Sequence, residues 1–219
     1  MDLTPVIISC KTASASIVVT FFLGLFAAAW VAGMKRRFWK ITLDCILTLP
    51  LVLPPTVAGF FLLYVFGLRG PVGIFFMHFF SIKIAFSWGS TVLAAALISF
   101  PLMYRSALGA LEQVEPELVY AARTLGLSEA RIFWKVSLPV AMPGIAGGAV
   151  LAFARGLGEF GATAMIAGNI AGRTRTLPLA IYSETAAGNM DTAGRYVIII
   201  VLFSFIIVAL MNYFAGKRP

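Results

Sequence analysis

The chain is divided into stretches of about 20 residues that carry almost no charge, long enough as helices to cross a hydrocarbon layer roughly 30 Å thick. That feature restricts the fold more than any other. A backbone in lipid must satisfy its own polar groups, which leaves helices or a closed barrel, and runs of this length select helices. Apolar residues make up 60% of the 219 and charged residues only 12%, too few polar side chains to cover a soluble core. The runs place spans at residues 14–34, 46–66, 91–111, 138–166 and 196–214. The expected fold is an all-α integral membrane protein with about five transmembrane helices in one domain, 1–219. So short a chain has no room for a large soluble domain beside the bundle, so an energy source has to sit on another polypeptide.

Charge then orients the spans. Of the 17 Lys and Arg, ten follow alternate spans, led by the cluster Lys35, Arg36, Arg37 and Lys40 and ending at Lys217 and Arg218. By the positive-inside rule those loops are cytoplasmic, with the N-terminus outside and the C-terminus in the cytoplasm. The net charge of +8 therefore reports topology. It forms no basic stripe interleaved with aromatics, which argues against nucleic acid. Cys10 and Cys45 fall at opposite ends of the first two spans, too far apart for a disulfide. The first run exceeds a signal-peptide core and has no convincing cleavage site, so it is expected to remain as a span. His78, the only histidine, has no accompanying ligands and gives no metal site.

Within the spans a few residues break the apolar pattern. Pro50, Pro54 and Pro55 must interrupt hydrogen bonding in the second span, which is tolerated only where protein or a water-filled cavity covers the backbone. Residues 67–88 read as an external loop with an interfacial turn, its apolar part too short to span. Arg155 and Glu159 lie four apart deep in the fourth span, hence on one helical face. Intramembrane charges point to a pore, but a self-neutralising pair that pins neighbouring helices fits equally well. Thr56, Ser99 and Thr163 are further candidates for a path, although such hydroxyls commonly bond their own backbone. Gly156, Gly158 and Gly161 suit close helix packing.

The longest cytoplasmic connection, residues 112–138, has its own pattern. Pro116 opens a short helix bearing Leu118, Ala121, Ala122 and Leu125, and Gly126 is placed to cap it. Ser128 opens a second helix, in which Ile132, Phe133 and Val136 share a face until Pro139 restarts the membrane span. Such a pair either rests on the membrane surface or forms a rigid knob that a soluble partner grips.

The residues Tyr120, Ala121, Ala122, Arg123, Thr124, Leu125 and Gly126, followed by Val136, Ser137, Leu138 and Pro139, resemble the cytoplasmic signature of ABC importer permeases. That signature is Glu-Ala-Ala, three residues, Gly, nine residues, Ile, any residue, Leu-Pro. The spacing matches throughout. Tyr120 stands where the pattern has Glu, and Val136 where it has Ile; Glu117 offers a carboxylate one turn earlier. The resemblance implies the type I importer permease fold and a coupling segment seated on an ATPase, with Tyr120 to Gly126, Phe133, Leu138 and Pro139 at the contact.

Further stretches resemble the molybdate branch of that family: Leu49 to Gly59, Ala85 to Trp88, Ser99 to Met103, and the run from Phe153 to Thr163 continuing through Gly168-Asn169-Ile170 and Thr174 to Leu179. The implied cargo is molybdate or its heavier congener tungstate, with a sulfate or thiosulfate permease as the alternative. The implied partners are two ABC ATPase subunits, a second copy of the chain, and an extracytoplasmic oxyanion-binding protein. The chain has no Gly-x-x-x-x-Gly-Lys-Ser/Thr loop and no nucleophile, base and orienter at working spacing. ATP and Mg are accordingly expected on the partner ATPase, with no cofactor and no enzymatic activity on this chain. A rival from another class, a membrane assembly subunit without a transport path, predicts that Arg155, Glu159 and the proline-rich second span tolerate change.

Overall fold

The computed structural model describes residues 2–215, with side chains through Ala209. Eleven α-helices follow one another, and no strand occurs among the described residues. They are α1 (Thr4–Ala32), α2 (Arg37–Val52), α3 (Pro55–Phe66), α4 (Pro71–Phe80), α5 (Trp88–Glu112), α6 (Pro116–Thr124), α7 (Glu129–Ile132), α8 (Leu138–Leu157), α9 (Gly161–Ile166), α10 (Leu177–Ala186) and α11 (Met190–Ala215). Four rods are long and apolar enough to cross a membrane: α1, α5, the continuous run Glu129–Leu157, and α11. The pair α2 and α3 qualifies only jointly. The basic anchor expected at Lys217 and Arg218 lies outside the described residues.

The second span is thus a bent pair, with its halves inclined at 108°. Pro54 and Pro55 have no N–H to offer the carbonyls of Pro50 and Leu51, and a residue preceding proline is pushed out of the helical region. Leu53 and Pro54 accordingly adopt ψ of 139° and 135°, and the chain turns a corner there. The fourth span also departs from a single rod. Its helix stops at Leu157, residues 158–160 are non-helical, and α9 is a separate short helix. Apart from Arg155 and Glu159 the sequence stays apolar to Ile166, which conceals that break.

The stretch after α3 forms a ten-residue helix, α4, where the sequence suggested only an interfacial turn. Gly73 makes this possible, because a Cβ there would collide with the carbonyl oxygen of Gly67. Between α9 and α11 the chain holds α10, too short to cross.

The core is built on α1, α5 and α8. Ala28, Val31, Met103, Tyr104, Ala107, Ile145 and Ala152 form its centre. Close approach depends on missing side chains: an added Cβ at Gly148 would collide with Ser106 Cβ, one at Gly144 would lie 2.7 Å from Ala110 Cβ, and one at Gly24 2.8 Å from Met103 Cγ. Between α1 and α5 the hydroxyls of Thr12 and Thr91 meet at 3.0 Å and those of Thr20 and Ser99 at 3.3 Å. A second cluster joins α3, α5 and α9 through Ala58, Leu62, Ala94, Ile98, Ala162 and Ile166. Gly59 is the contact point, where a Cβ would lie 2.6 Å from Ala162 Cα. The outward side chains of α1 and α11, among them Phe22, Phe26, Trp30, Val201 and Phe205, are exposed apolar groups suited to lipid.

Candidate functional site

Two sites are built into this frame, a hinged hairpin between α5 and α8 and an ion pair at the break between α8 and α9. In the hairpin, α6 ends on Gly126 at φ +76°. The Leu127 amide donates to Ala122 O at 3.2 Å and the Gly126 amide to Arg123 O at 2.9 Å, the paired bonds of a Schellman cap. Gly126 therefore caps α6 as its position suggests. Nothing lies within 4 Å of a Cβ built there, so glycine is required by backbone conformation and not by crowding.

The turn is braced by a contact that the sequence reading missed. Arg123 Nε donates to Glu129 Oε1 at 2.7 Å and Nη2 to Oε2 at 3.0 Å, a bidentate bond across the hinge. The hydrogen bond from Arg123 holds the Glu129 carboxyl below its usual range. Its contribution is thus present above the ordinary carboxylate range and is lost as pH falls through the lowered value. A positive and a negative residue six apart across a glycine was the available signal. Glu117 lies in the first turn of α6, where its charge suits the helix dipole.

Of the coupling residues, Ala122 and Leu138 are buried, Phe133 packs on the core, and Tyr120, Ala121, Arg123, Thr124, Leu125, Gly126 and Pro139 are exposed. Leu125 is 80% exposed and Trp134 64%, an apolar tip standing clear of the bundle. The second hairpin helix is not a separate knob. It runs through one π-helical turn, Phe133–Ser137, directly into α8.

The foot of the hairpin is tied to α2. Lys40 Nζ lies 2.7 Å from Glu112 Oε1. Asp44 accepts from Arg105 Nη1 at 2.9 and 2.8 Å and from the Tyr104 hydroxyl at 3.0 Å.

At the other site, Glu159 lies in the non-helical break and not on the α8 face predicted from its spacing. Its side chain is 2% exposed; Oε1 accepts from the Ala162 amide at 2.8 Å, capping α9. Arg155, in the last turn of α8, brings Nη1 to 2.9 Å from Glu159 Oε2. That contact lies off the hydrogen-bond direction, and Oε2 has no aligned donor. The pair exists, but the protein backbone already holds half of the carboxylate.

The remaining candidates divide. Ser99 and Thr163 are fully buried within the chain, with Ser99 Oγ donating to Ala95 O at 2.7 Å, so neither presents a surface. Thr56 is exposed at the start of α3 and near the break, since a Cβ at Gly161 would lie 3.2 Å from Thr56 N and 3.0 Å from Pro55 Cβ. Gly156 and Gly161 are contact glycines, whereas a Cβ on Gly158 would meet only Ala154 O, at 3.8 Å. Among the described residues no group of three or more His, Cys, Asp or Glu gathers to hold a metal ion.

Residues 20–217 match the family model described as the binding-protein-dependent transport system inner membrane component. The chain belongs to that family. The permease is 46% identical over 199 residues to the molybdenum transport system permease protein ModB of Escherichia coli, covering 90% of this chain and 86% of that protein. Identity to ModB of Haemophilus influenzae is 38%, over 100% and 95% of the two chains. A sulfate transport system permease protein, CysT of Salmonella typhimurium, is 34% identical over 92% of this permease and 73% of its own length. A chain of the inward-facing MetNI methionine ABC transporter superposes with a TM-score of 0.75 at 18% identity, covering 97% and 93% of the two. The permease therefore has the type I importer fold and is a multi-pass membrane subunit, with no enzymatic activity of its own.

Proposed function

We propose that the chain forms the translocation path for molybdate in an ATP-driven importer, working as one of two identical permeases. The hairpin of α6 and α7 faces the cytoplasm, the N-terminus lies outside, and the C-terminus lies inside. Each copy is gripped by one of two ATPase subunits, and an extracytoplasmic binding protein delivers the anion from above. A divalent oxyanion does not enter hydrocarbon unaided, because losing its hydration costs on the order of tens of kcal/mol. Uphill import needs work supplied elsewhere, and this subunit supplies the lever.

One observation supports the lever. The exposed tip at Leu125 and Trp134 is held by a glycine cap and a bidentate bond across the hinge, and continues into α8 without a flexible joint. Displacing the tip therefore displaces α8, and through Gly144 and Gly148 its packing on α5. The cargo rests on the full-length similarity to two molybdenum permeases, which exceeds that to the sulfate permease.

The test is uptake by vesicles holding the permease, its ATPase and its binding protein. Molybdate should accumulate only with ATP on the ATPase side, and a tenfold excess of sulfate should leave the rate largely unchanged. Accumulation without ATP, or sulfate taken up in preference, would overturn the proposal.

A further inference from the structure

The ion pair at the end of α8 lies level with the middles of two membrane-crossing helices. A Cβ on Gly156, next to Arg155, would be 3.1 Å from Ser16 Oγ and 3.9 Å from Ser99 Oγ. Ser16 and Ser99 are near the midpoints of α1 and α5. The other cations of the described spans, Lys11, Arg37, Lys40, Arg105, Arg131, Lys135 and Arg195, fall within about two turns of a helix end; Arg155 is also near the end of its helix, but that helix breaks off level with Ser16 and Ser99. Lys11 stacks over the Trp88 ring, and Arg105 is held by Asp44. Arg155 is the only mid-depth cation among the described residues.

Its surroundings separate the two roles that spacing leaves open. A guanidinium presents five N–H donors, and among the described residues the one polar partner of Arg155 is Glu159 Oε2, approached off axis. The opposite oxygen is engaged by the Ala162 amide. The carboxylate thus anchors the guanidinium without saturating it. The Arg155 side chain is 31% exposed on a stripe of α8 that the chain leaves uncovered: Leu151 is exposed one turn earlier, and a Cβ on Gly147 would touch nothing. A cation at this depth is not left facing hydrocarbon. The stripe must face a hydrated space or a second copy.

We infer that Arg155 is the mid-membrane contact for a tetrahedral oxyanion in transit, and that Glu159 is the positioning residue that keeps the guanidinium aimed into the path. This rests on the importer reading above. Glu159 also tempers the site. A lone buried cation would trap a divalent anion, whereas a neighbouring carboxylate lowers the net charge that the anion meets and permits release.

Vesicles carrying the complete importer test this with molybdate and sulfate run side by side, and co-purification of the ATPase serves as the assembly control. Arg155→Gln should lower the initial uptake rate about 10- to 100-fold, the loss expected for a charge-assisted hydrogen bond. Arg155→Lys should retain a measurable share. The swap of Arg155→Glu with Glu159→Arg keeps opposite charges at the two positions but loses the acceptor for the Ala162 amide, so it is read where the ATPase still co-purifies, and there it should fail to import. Uptake at the wild-type rate by Arg155→Gln or by the swap overturns the inference. Sulfate import that Arg155→Gln abolishes would retain the contact and sink the molybdate assignment, while wild-type vesicles that import neither anion would sink both.

Discussion

At Gly126 a single φ of +76° decides whether α6 and α7 meet at a fixed angle. An L-residue held in that region loses about 1–2 kcal/mol per residue, and no neighbour would be displaced. Gly126→Ala should therefore weaken binding of the ATPase roughly 5- to 30-fold, the ratio equivalent to that energy, while the melting temperature of the isolated permease stays close to wild type. Titrating purified ATPase onto the variant measures the first, and a thermal scan in detergent the second. Unchanged affinity would mean that the cap is not needed for docking. Glycine at this position was legible from the chain alone, because the helical pattern stops there. The partner of Arg123 was not, since Glu117 and Glu129 both lie six residues from it and only the folded turn brings Glu129 to 2.7 Å.

Among the elements, α5 and α8 meet in a close seam. A Cβ on Gly148 would collide with Ser106 Cβ, so Gly148→Ala must push the helices apart. Overpacking of this kind destabilises by about 1–3 kcal/mol. Gly109→Ala, where an added methyl meets nothing within 4 Å, is the matched control. The first variant should lower the melting temperature of the detergent-solubilised permease and the second should leave it unchanged or raise it; equal behaviour would exclude the seam as the cause. Glycine content alone does not distinguish these positions, because which side of a helix meets a neighbour is a property of the packed bundle.

For the molecule as a whole, the clasp joining α2 to the foot of the hairpin offers a second route for motion. Asp44 and Lys40 tie α2 to α5, α2 turns at Pro54 into α3, and α3 packs through Gly59 on α9, whose start carries the Glu159 cap. If force travels this way, Asp44→Asn should leave ATP hydrolysis largely intact while molybdate carried per ATP falls several-fold. Exchanging the charges, Asp44→Arg with Arg105→Asp, should restore part of the yield. Uptake and hydrolysis measured on the same vesicles decide it, and a proportional fall in both would point to damage of the docking site instead.

Apolar length, proline placement and the spacing from Tyr120 to Pro139 were enough to establish a helical membrane permease with a hinged hairpin, because those features act locally or through the solvent around them. They did not reveal the corner at Pro54 as a 108° bend, the break that takes Glu159 off its helix, or the unspent donors of Arg155. Each depends on where the chain folds back against itself: a broken helix in lipid persists only when other segments cover its free backbone groups. Of that cover, α3 reaches α9 from a separate part of the chain and meets it only once the bundle is packed, whereas the Glu159 carboxylate bonds the Ala162 amide three residues on, a local contact that forms because the helix has broken there.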